Sequence, residues 1–584
     1  MVSYFLFNSR VNAERTTSTN DLKTSRALAV SDNTGDPKLF TRKRLFILVT
    51  RPFSNIEEVN MANKNLFKTI VGMLSPKADA VNEAGGLAYE LSPKQALAQY
   101  AATGCFNQTF YAEAGEQLNK VLALANEVES EFVAKTAIFA REKGYMKDMP
   151  ALLLAVLSTR DKELFERVFP RVADNGKMLR NFVQIMRSGA VGRKSLGSLP
   201  KRMVRKWFET RGSEQIFKQS VGQAPSIADI LKMVHPKPVD AEREALFGYF
   251  IGRDIDADKL PEVVKKFEQF KSGDTSEVPN VPFQMLTALP LSTKDWAEIA
   301  RNAPWQMTRM NLNTFQRHGV FADEAIVKIV ADRLRDRDAV KRARVFPFQL
   351  LSAFKAAEAN NGVPREITEA LQDAMEVATE NVPAIDGKVY IFPDISGSMH
   401  SPVTGYRKGS TSQVRCIDVA ALFAAAVLRK NPTAEVIPFE SDIVQVKLNP
   451  RDSIMTNAQK LASLPCGGTN CSAPLRELNR RKAEGDALIY VSDNESWIDS
   501  PHYGHWGGSA TETMRQWNEF KSRNTDAKLV CIDIQPYAHT QAKERRDILN
   551  VGGFSDQVFT LVSEFAAGNL DDGHWVGVIE KVEI

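Results

Sequence analysis

The chain has 584 residues, 43% of them apolar and 25% charged, with 75 Lys or Arg against 71 Asp or Glu. That length points to two or more domains of ordinary globular composition. Its five scattered cysteines exclude a disulfide scaffold and suit a reducing cytoplasm, and its longest apolar stretch, Val419 to Leu428, is too short for the ~20 residues of a transmembrane helix.

Residues 1–60 hold polar stretches without useful periodicity, such as Glu14 to Asp21, and the apolar Leu45 to Val49 lies too far from the terminus to be a signal peptide. Glu57-Glu58-Val59-Asn60 can be encoded by codons containing AGGAGGT, a bacterial ribosome-binding sequence, just ahead of Met61. The expectation is a native start at Met61, with residues 1–60 a gene-calling extension; a disordered tail is the alternative.

From about residue 84 to 383 one amphipathic helix follows another, with apolar residues at helical spacing, as in Phe132, Val133, Ala137, Phe139 and Ala140. The pattern predicts helices over 116–128, 131–143, 149–158, 161–173 and 177–187. It resumes over 241–252, 259–271, 293–302, 323–334 and 364–379. A long run of short helices suggests helical pairs stacked as a solenoid, with a degenerate repeat because no strict period shows. A compact all-α bundle is the alternative.

The strongest charge feature lies within this series, where Arg187 to Lys237 holds eleven Lys or Arg against three acids. Charge runs are usually solvated helix faces. Here the surplus is local, and Trp207, Phe208, Phe217 and His235 are interleaved with it. Basic side chains neutralise phosphates while aromatic rings stack on exposed bases. Candidate RNA contacts are therefore Arg193, Lys194, Lys201, Arg202, Arg205, Lys206, Lys218, Lys232, His235 and Lys237. A second cluster, Arg333, Arg335, Arg337, Lys341, Arg342 and Arg344, contains Asp336 and Asp338 and reads as an ordinary solvated helix.

After Asn381-Val382-Pro383 strands alternate with helices: strands over 388–392, 434–438, 487–492 and 528–534, and helices over 414–429 and 512–522. Such alternation implies a parallel sheet covered on both faces, with ligands at the carboxyl ends of its strands. Asp394, Ser396 and Ser398 follow the first strand at i, i+2, i+4, which in extended backbone aims three oxygen side chains to one side. Gly467-Gly468-Thr469 adds a hydroxyl on a loop able to approach an ion, and Asp493 ends another apolar strand. A hard cation takes oxygen ligands, so Asp394, Ser396, Ser398, Thr469 and Asp493 are candidate ligands for Mg2+ or Mn2+. Ordinary strand-to-helix turns are the alternative. His502 and His505 could bind a transition metal, although an exposed aromatic loop is the plainer reading. Cys466 and Cys471 flank the Gly-Gly-Thr loop without the further ligands that zinc needs.

Those three segments, in that order, resemble the metal-ion-dependent adhesion site of von Willebrand factor A domains. Further segments carry a wider resemblance: Ala84 to Tyr89, Thr103-Gly104-Cys105, Ser226 to Pro238, Ala343 to Phe348, Asp394 to Met399, Gly467 to Ser472 and Ser492 to Glu495. With them the chain resembles the Ro 60 kDa autoantigen family, as a bacterial or phage member, from about residue 82 to the end. The resemblance implies an α-helical HEAT-like repeat ring, the TROVE module, over 84–383, followed by an α/β doubly wound von Willebrand factor A-like domain over 384–584. It implies small noncoding Y-like RNA on the ring's outer surface and single-stranded 3′ ends of misfolded RNA in its hole. Tethering to polynucleotide phosphorylase through such an RNA is a further implication. It places Lys218 and His235 at the RNA contact. Two positions depart from the family pattern: Gly222 stands where animal members carry Arg, and Asn470 where Asp often follows Gly-Gly-Thr.

The combined expectation is a cytoplasmic RNA-binding scaffold acting in RNA quality control, with no catalytic residues and no membrane or DNA partner. A metal-dependent protein-interaction module without RNA is its rival. A Mg2+-dependent phosphohydrolase with Asp394 as nucleophile is disfavoured, because phosphatases of the haloacid dehalogenase type need a general-acid Asp where Ser396 stands.

Overall fold

The 3.6-residue periodicity after Leu91 does produce a helical series, from Pro93–Thr103 to Arg365–Ala378. The computed structural model describes residues 75–584 except 104–113, 223, 344, 346, 360–361, 404, 407–413, 498–509, 554–555 and 571–573. Expectations for residues 1–60, Cys105, Arg344, Phe346, His502 and His505 lie outside the described residues. The expected helices are present with modest shifts at their ends, for example Ala114–Glu127, Ser130–Glu142, Gly176–Ser188 and Ala241–Ile251, while Thr293–Asn302 matches at both ends. Among the described residues no helix is long and apolar enough to cross a membrane.

Three helices in the basic segment had no sequence assignment: Ser198–Glu209, Ser213–Lys218 and Ile227–Val234. The first buries Pro200, Met203, Val204, Trp207 and Phe208, a 3–4 spacing hidden among the charges. The third begins on a capping box, in which Ser226 Oγ accepts from Asp229 N and the Asp229 carboxylate accepts from Ser226 N.

A repeat invisible in the residue types appears in the hydrogen bonds between helices. Arg160 donates to the carbonyl of Val128 at 2.8 Å, Arg211 to that of Asp174 at 3.1 Å, and Arg333 to that of Ala300 at 2.7 Å. Arg243 donates to Phe208 O and Arg211 O at 2.5 Å each, and to Ser213 Oγ at 3.0 Å. In each case a guanidinium meets carbonyls at the carboxyl-terminal end of a helix 32 to 37 residues earlier. Helix ends carry unsatisfied carbonyls and partial negative charge, so a cation there supplies both hydrogen bonds and electrostatic stabilisation.

The later strands are β3 (Val389–Pro393), β4 (Glu435–Val436), β5 (Ala487–Ser492), β6 (Lys528–Asp533) and β8 (Ile548–Gly552). They form one sheet in the order β4-β3-β5-β6-β8, all pairs parallel. The Cys416–Lys430 helix, apolar nearly all round, is buried from Cys416 to Leu428, as its composition predicts. In this strand order the chain leaves β3 first to one side and then to the other, so the crevice at the carboxyl ends of β3 and β5 is the topological switch point.

The α/β domain also holds both ends of the helical series. Before the first helix, β1 (Ala80–Val81) pairs with β2 (Leu87–Glu90), and β2 pairs with β7 (His539–Thr540) of the later domain. The sequence shows no strand signal at either short segment. Near the chain end Lys135 Nζ donates to Glu580 O at 2.8 Å and Arg167 to Ile584 O at 2.6 Å. At the other end Lys355 pairs with Asp418 at 2.8 Å, and Ile454 N donates to Glu376 Oε1 at 2.7 Å. The series therefore starts and finishes on one domain.

The arginine caps give a direct test. Arg243→Ala strands buried carbonyls and should cost about 2–4 kcal/mol in denaturant unfolding. Arg365→Ala removes a side chain that is 90% exposed and should change stability by less than about 0.5 kcal/mol. Equal effects from the two would dismiss the caps as stabilising contacts.

Candidate metal centre and nucleic-acid interface

β3 ends at Pro393 and delivers Asp394 into the switch-point crevice, fully buried. Asp394 Oδ1 accepts from Ser396 N at 2.8 Å, while Oδ2 accepts from Ser492 Oγ at 2.6 Å. The i, i+2 spacing brings Ser396 Oγ and Ser398 Oγ within 3.3 Å of each other. Gly397 N donates to Gly467 O at 3.0 Å, which ties this turn to the Gly-Gly-Thr loop. A Cβ at Gly467 would overlap the Glu440 carboxylate, so a larger residue there would displace that side chain. Thr469 is 4% exposed and Asp493 3%, and Ser398 hydrogen-bonds to the Asp493 side chain.

Asn470, the departure from the family pattern, has a structural job. Its Oδ1 accepts from Ser472 Oγ at 2.7 Å and its Nδ2 donates to Ser441 O at 3.0 Å. A carboxylate has no hydrogen to give Ser441, so the amide adds a bond to those that Asn470 N makes to Glu440 O and Gly468 N to Ser441 Oγ.

Burial pushes the Asp394 carboxyl up to about 7, helped by the nearby Asp493, and burial raises Asp493 as well. No Lys or Arg pairs with either carboxylate among the described residues. Two buried carboxylates and three hydroxyls, lacking any basic partner, fit a hard divalent cation such as Mg2+. Among the described residues no three His, Cys, Asp or Glu side chains are grouped so as to hold a metal, so a cation here would rely on the hydroxyls as well as the two carboxylates.

Further acids surround this centre. Glu495 and Asp533 are buried, and burial together with Asp493 holds both carboxyls well above the usual range. Glu495 Oε2 accepts from the backbone N–H groups of Glu83 at 2.8 Å and Ala84 at 3.3 Å, and Asn82 Nδ2 donates to Ser496 O at 2.7 Å. The loop that carries Asp493 is thus also the dock for the segment ahead of the helical series. Glu495 was visible only within the family-like Ser492 to Glu495. Asp533, a third aspartate at a strand end, carried the same signal as Asp394 and Asp493 and was missed.

On the helical series, Arg202, Arg205 and Lys206 are exposed on the face of the Ser198–Glu209 helix opposite its buried side, with Lys201 half-buried beside them. Arg193, Lys194, Lys232, His235 and Lys237 are exposed as well, and Lys218 is half-buried. Arg205 Nε donates to Val234 O, which joins this face to the end of the Ile227–Val234 helix. There His235 stands in the left-handed region, φ 48°, as the helix cap, exposed and not a packing residue. Arg202 pairs with Glu166, and Lys218 with Glu214 at 2.6 Å, so each would exchange a protein partner for a phosphate. Among the described residues Lys218 and His235 share no hydrogen bond or ion pair.

The interleaved aromatics are a correction. Trp207, Phe208 and Phe217 are at most 2% exposed, and Trp207 Nε1 donates to Ala173 O at 2.8 Å. They form the core beneath the basic face and offer no ring to a base. The second basic cluster is paired internally, Arg335 with Asp373 at 2.8 Å and Arg337 with Glu380 at 2.5 Å, while Arg333 caps a helix.

Residues 284–387 match the TROVE domain and residues 388–566 the Ro60 vWA domain, contiguous and in that order. The chain carries a TROVE domain followed by a Ro60 vWA domain. It is 26% identical over 555 residues to the RNA-binding protein RO60 of Deinococcus radiodurans, covering 87% of this chain and all of that one. The Caenorhabditis elegans protein of the same name is 22% identical over 449 residues, covering 65% of this chain and 68% of its own. The crystal structure of the Deinococcus radiodurans Ro (Rsr) protein superposes with a TM-score of 0.58 at 22% identity, covering 82% of this chain and all of that one, and shares the fold. The Ro60-family matches thus cover both the helical series and the α/β domain.

The metal centre predicts a pH-dependent response. With Asp394 at about 7 in the folded chain against 3.8 ordinarily, the metal-free protein holds a proton that the unfolded chain has released between those values. Its stability should therefore fall as pH rises through that window. Mg2+ bound at this centre would replace the proton, so the gain in Tm with Mg2+ over chelator should grow from pH 5 to pH 8 and vanish in Asp394→Ala. A gain of zero throughout would rule out occupancy of this centre.

Proposed function

We propose that this chain is an RNA-binding scaffold with a Mg2+-stabilised α/β domain and no catalysis of its own. The observation that carries the reading is the exposed face of Arg202, Arg205 and Lys206, joined through the Arg205 to Val234 bond to exposed His235, in a chain that carries a TROVE domain. These cations lie on a rigid helix whose opposite side is core, so they neutralise phosphates without refolding. The finer reading is a small noncoding Y-like RNA hairpin on this face and single-stranded 3′ ends of misfolded RNA within the closed helical series. It places the protein in cytoplasmic RNA quality control, with polynucleotide phosphorylase tethered through the RNA and no DNA partner. Contact between the helical series and the α/β domain at both ends supports a closed circuit able to admit a strand.

In the α/β domain, Mg2+ would be held by Ser396, Ser398 and Thr469, with Asp394 and Asp493 direct or through water. Its role there is to neutralise buried charge and fix the loops of the switch-point crevice. Phosphoryl transfer fits poorly. Ser396, standing where a general-acid Asp would be needed, supplies no general acid.

Filter binding of hairpin RNA across a salt series tests the reading. Log affinity should fall linearly with log salt, by roughly 0.7–0.9 per phosphate neutralised. Replacing Lys201, Arg202, Arg205 and Lys206 together by Ala should flatten that slope. His235→Ala should weaken a cognate hairpin more than random single strands, with an unchanged Tm. Wild-type affinity insensitive to salt would overturn the proposal.

A further inference from the structure

The turn that joins β1 to β2, just ahead of the first helix of the series, grips the α/β domain with its backbone. Asn82 shapes it: its N–H donates to Gly86 O, its carbonyl accepts from Gly85 N and its Oδ1 accepts from Gly86 N. The two amides between face outward, and both converge on one oxygen, Glu495 Oε2, from Glu83 N at 2.8 Å and Ala84 N at 3.3 Å. Asn82 Nδ2 donates to Ser496 O at 2.7 Å, and Gly86 lies so close that a Cβ there would overlap the same carbonyl. Two residues of the α/β domain, Glu495 and Ser496, thus hold the whole turn.

The loop that carries those two residues is strung between candidate metal ligands. It starts at Asp493, whose Oδ1 accepts from Glu495 N at 3.3 Å, and reaches Trp497, whose N–H donates to Thr469 O at 3.1 Å. Ser496 Oγ accepts from Cys471 N at 3.2 Å, two residues beyond Thr469. Asn494 N donates to Ser492 Oγ, which in turn donates to Asp394. A shift of Asp493 against Thr469 therefore moves Glu495 and Ser496 with it. Hydrogen bonding around the turn is also incomplete. Glu495 Oε1 and both ring nitrogens of His539 are buried without a hydrogen bond among the described residues, and the nearest two are 3.6 Å apart. Unpaired polar groups in a junction lower its stability, so it is poised to open locally.

We infer that a cation in the switch-point crevice latches the 82–86 turn to the α/β domain by drawing Asp493 and Thr469 together and so setting the loop between them. The entry of the helical series is fastened when Mg2+ is bound and loosened when it is removed. The inference rests on the reading of this centre as a Mg2+ site and adds to it a second role, control of one seam of the closed circuit.

Amide hydrogen exchange of the full chain, read by mass spectrometry with Mg2+ and with chelator, tests the latch. The 82–86 amides should exchange about tenfold faster in chelator, the worth of roughly one hydrogen bond. Residues 574–584, which meet the helical series through Lys135 and Arg167 instead, should exchange alike in both. Glu495→Ala removes the grip and keeps every candidate ligand, so its turn should exchange fast in both conditions while Mg2+ still raises Tm. Asn82→Ala, which cuts the bond to Ser496 from the other side, decides the matter in the same way should Glu495→Ala fail to fold. Wild-type turn amides that ignore Mg2+ while Tm rises overturn the latch and leave the Mg2+ site standing. Equal slowing at 82–86 and 574–584 also overturns it, as does a Glu495→Ala turn that still responds to Mg2+. A wild type that answers Mg2+ in neither Tm nor exchange overturns the Mg2+ reading itself.

Discussion

Four carboxyl groups, Asp394, Asp493, Glu495 and Asp533, are buried together at the carboxyl edge of one parallel sheet, and none has a Lys or Arg partner among the described residues. Burying uncompensated carboxylates costs several kcal/mol each unless protons, cations or N–H groups compensate. Much of the surrounding architecture answers that demand. Ser396, Ser398 and Ser492 turn hydroxyls inward, the Gly-Gly-Thr loop is drawn close by glycines, and the backbone of Glu83 and Ala84 crosses over to give Glu495 two N–H groups. His539 lies 3.6 Å from Glu495, yet burial drives its pKa down to about 4, so it brings no positive charge at neutral pH.

Because the Glu83–Ala84 segment leads directly into the helical series, the charge in the crevice and the closure of the series are linked. The loop from Asp493 to Ser496 faces the candidate cation on one side and the incoming chain on the other. A change in the crevice therefore reaches the seam through four residues of backbone. The opposite seam depends on ordinary ion pairs, such as Lys355 with the buried Asp418, and needs no such linkage.

Arginine has two distinct uses in the helical series. Arg160, Arg211, Arg243 and Arg333 each reach back to carbonyls at the end of a helix 32 to 37 residues earlier, which ties neighbouring helices together. Arg193, Arg202 and Arg205 keep exposed positions on the basic face. Arg205 belongs to both groups, since its Nε is spent on Val234 O while the residue remains exposed beside His235. Counting basic residues cannot separate these roles. Arg211 adds to the local charge surplus, yet its guanidinium lies over the Trp207 ring at 4.2 Å and binds Asp174 O.

The sequence by itself determined what depends on near neighbours. Helical periodicity, the buried Cys416–Lys430 helix, the strands ending in Asp394 and Asp493 and the spacing of Ser396 and Ser398 were all legible, because burial of one face repeats every two or 3.6 residues. The short β4 was expected longer than Glu435–Val436, while β7, β8 and the pairing of β2 with β7 had no local signal, since partners hundreds of residues apart define them. Only the tertiary structure decided which arginines face solvent, that Trp207, Phe208 and Phe217 are core, and that Asp533 and Glu495 join the crevice. Aromatic rings among charges have the same local pattern whether they stack on a base or on a neighbouring helix. The choice is made by what packs against them, and for Trp207 that is the end of a helix 34 residues away.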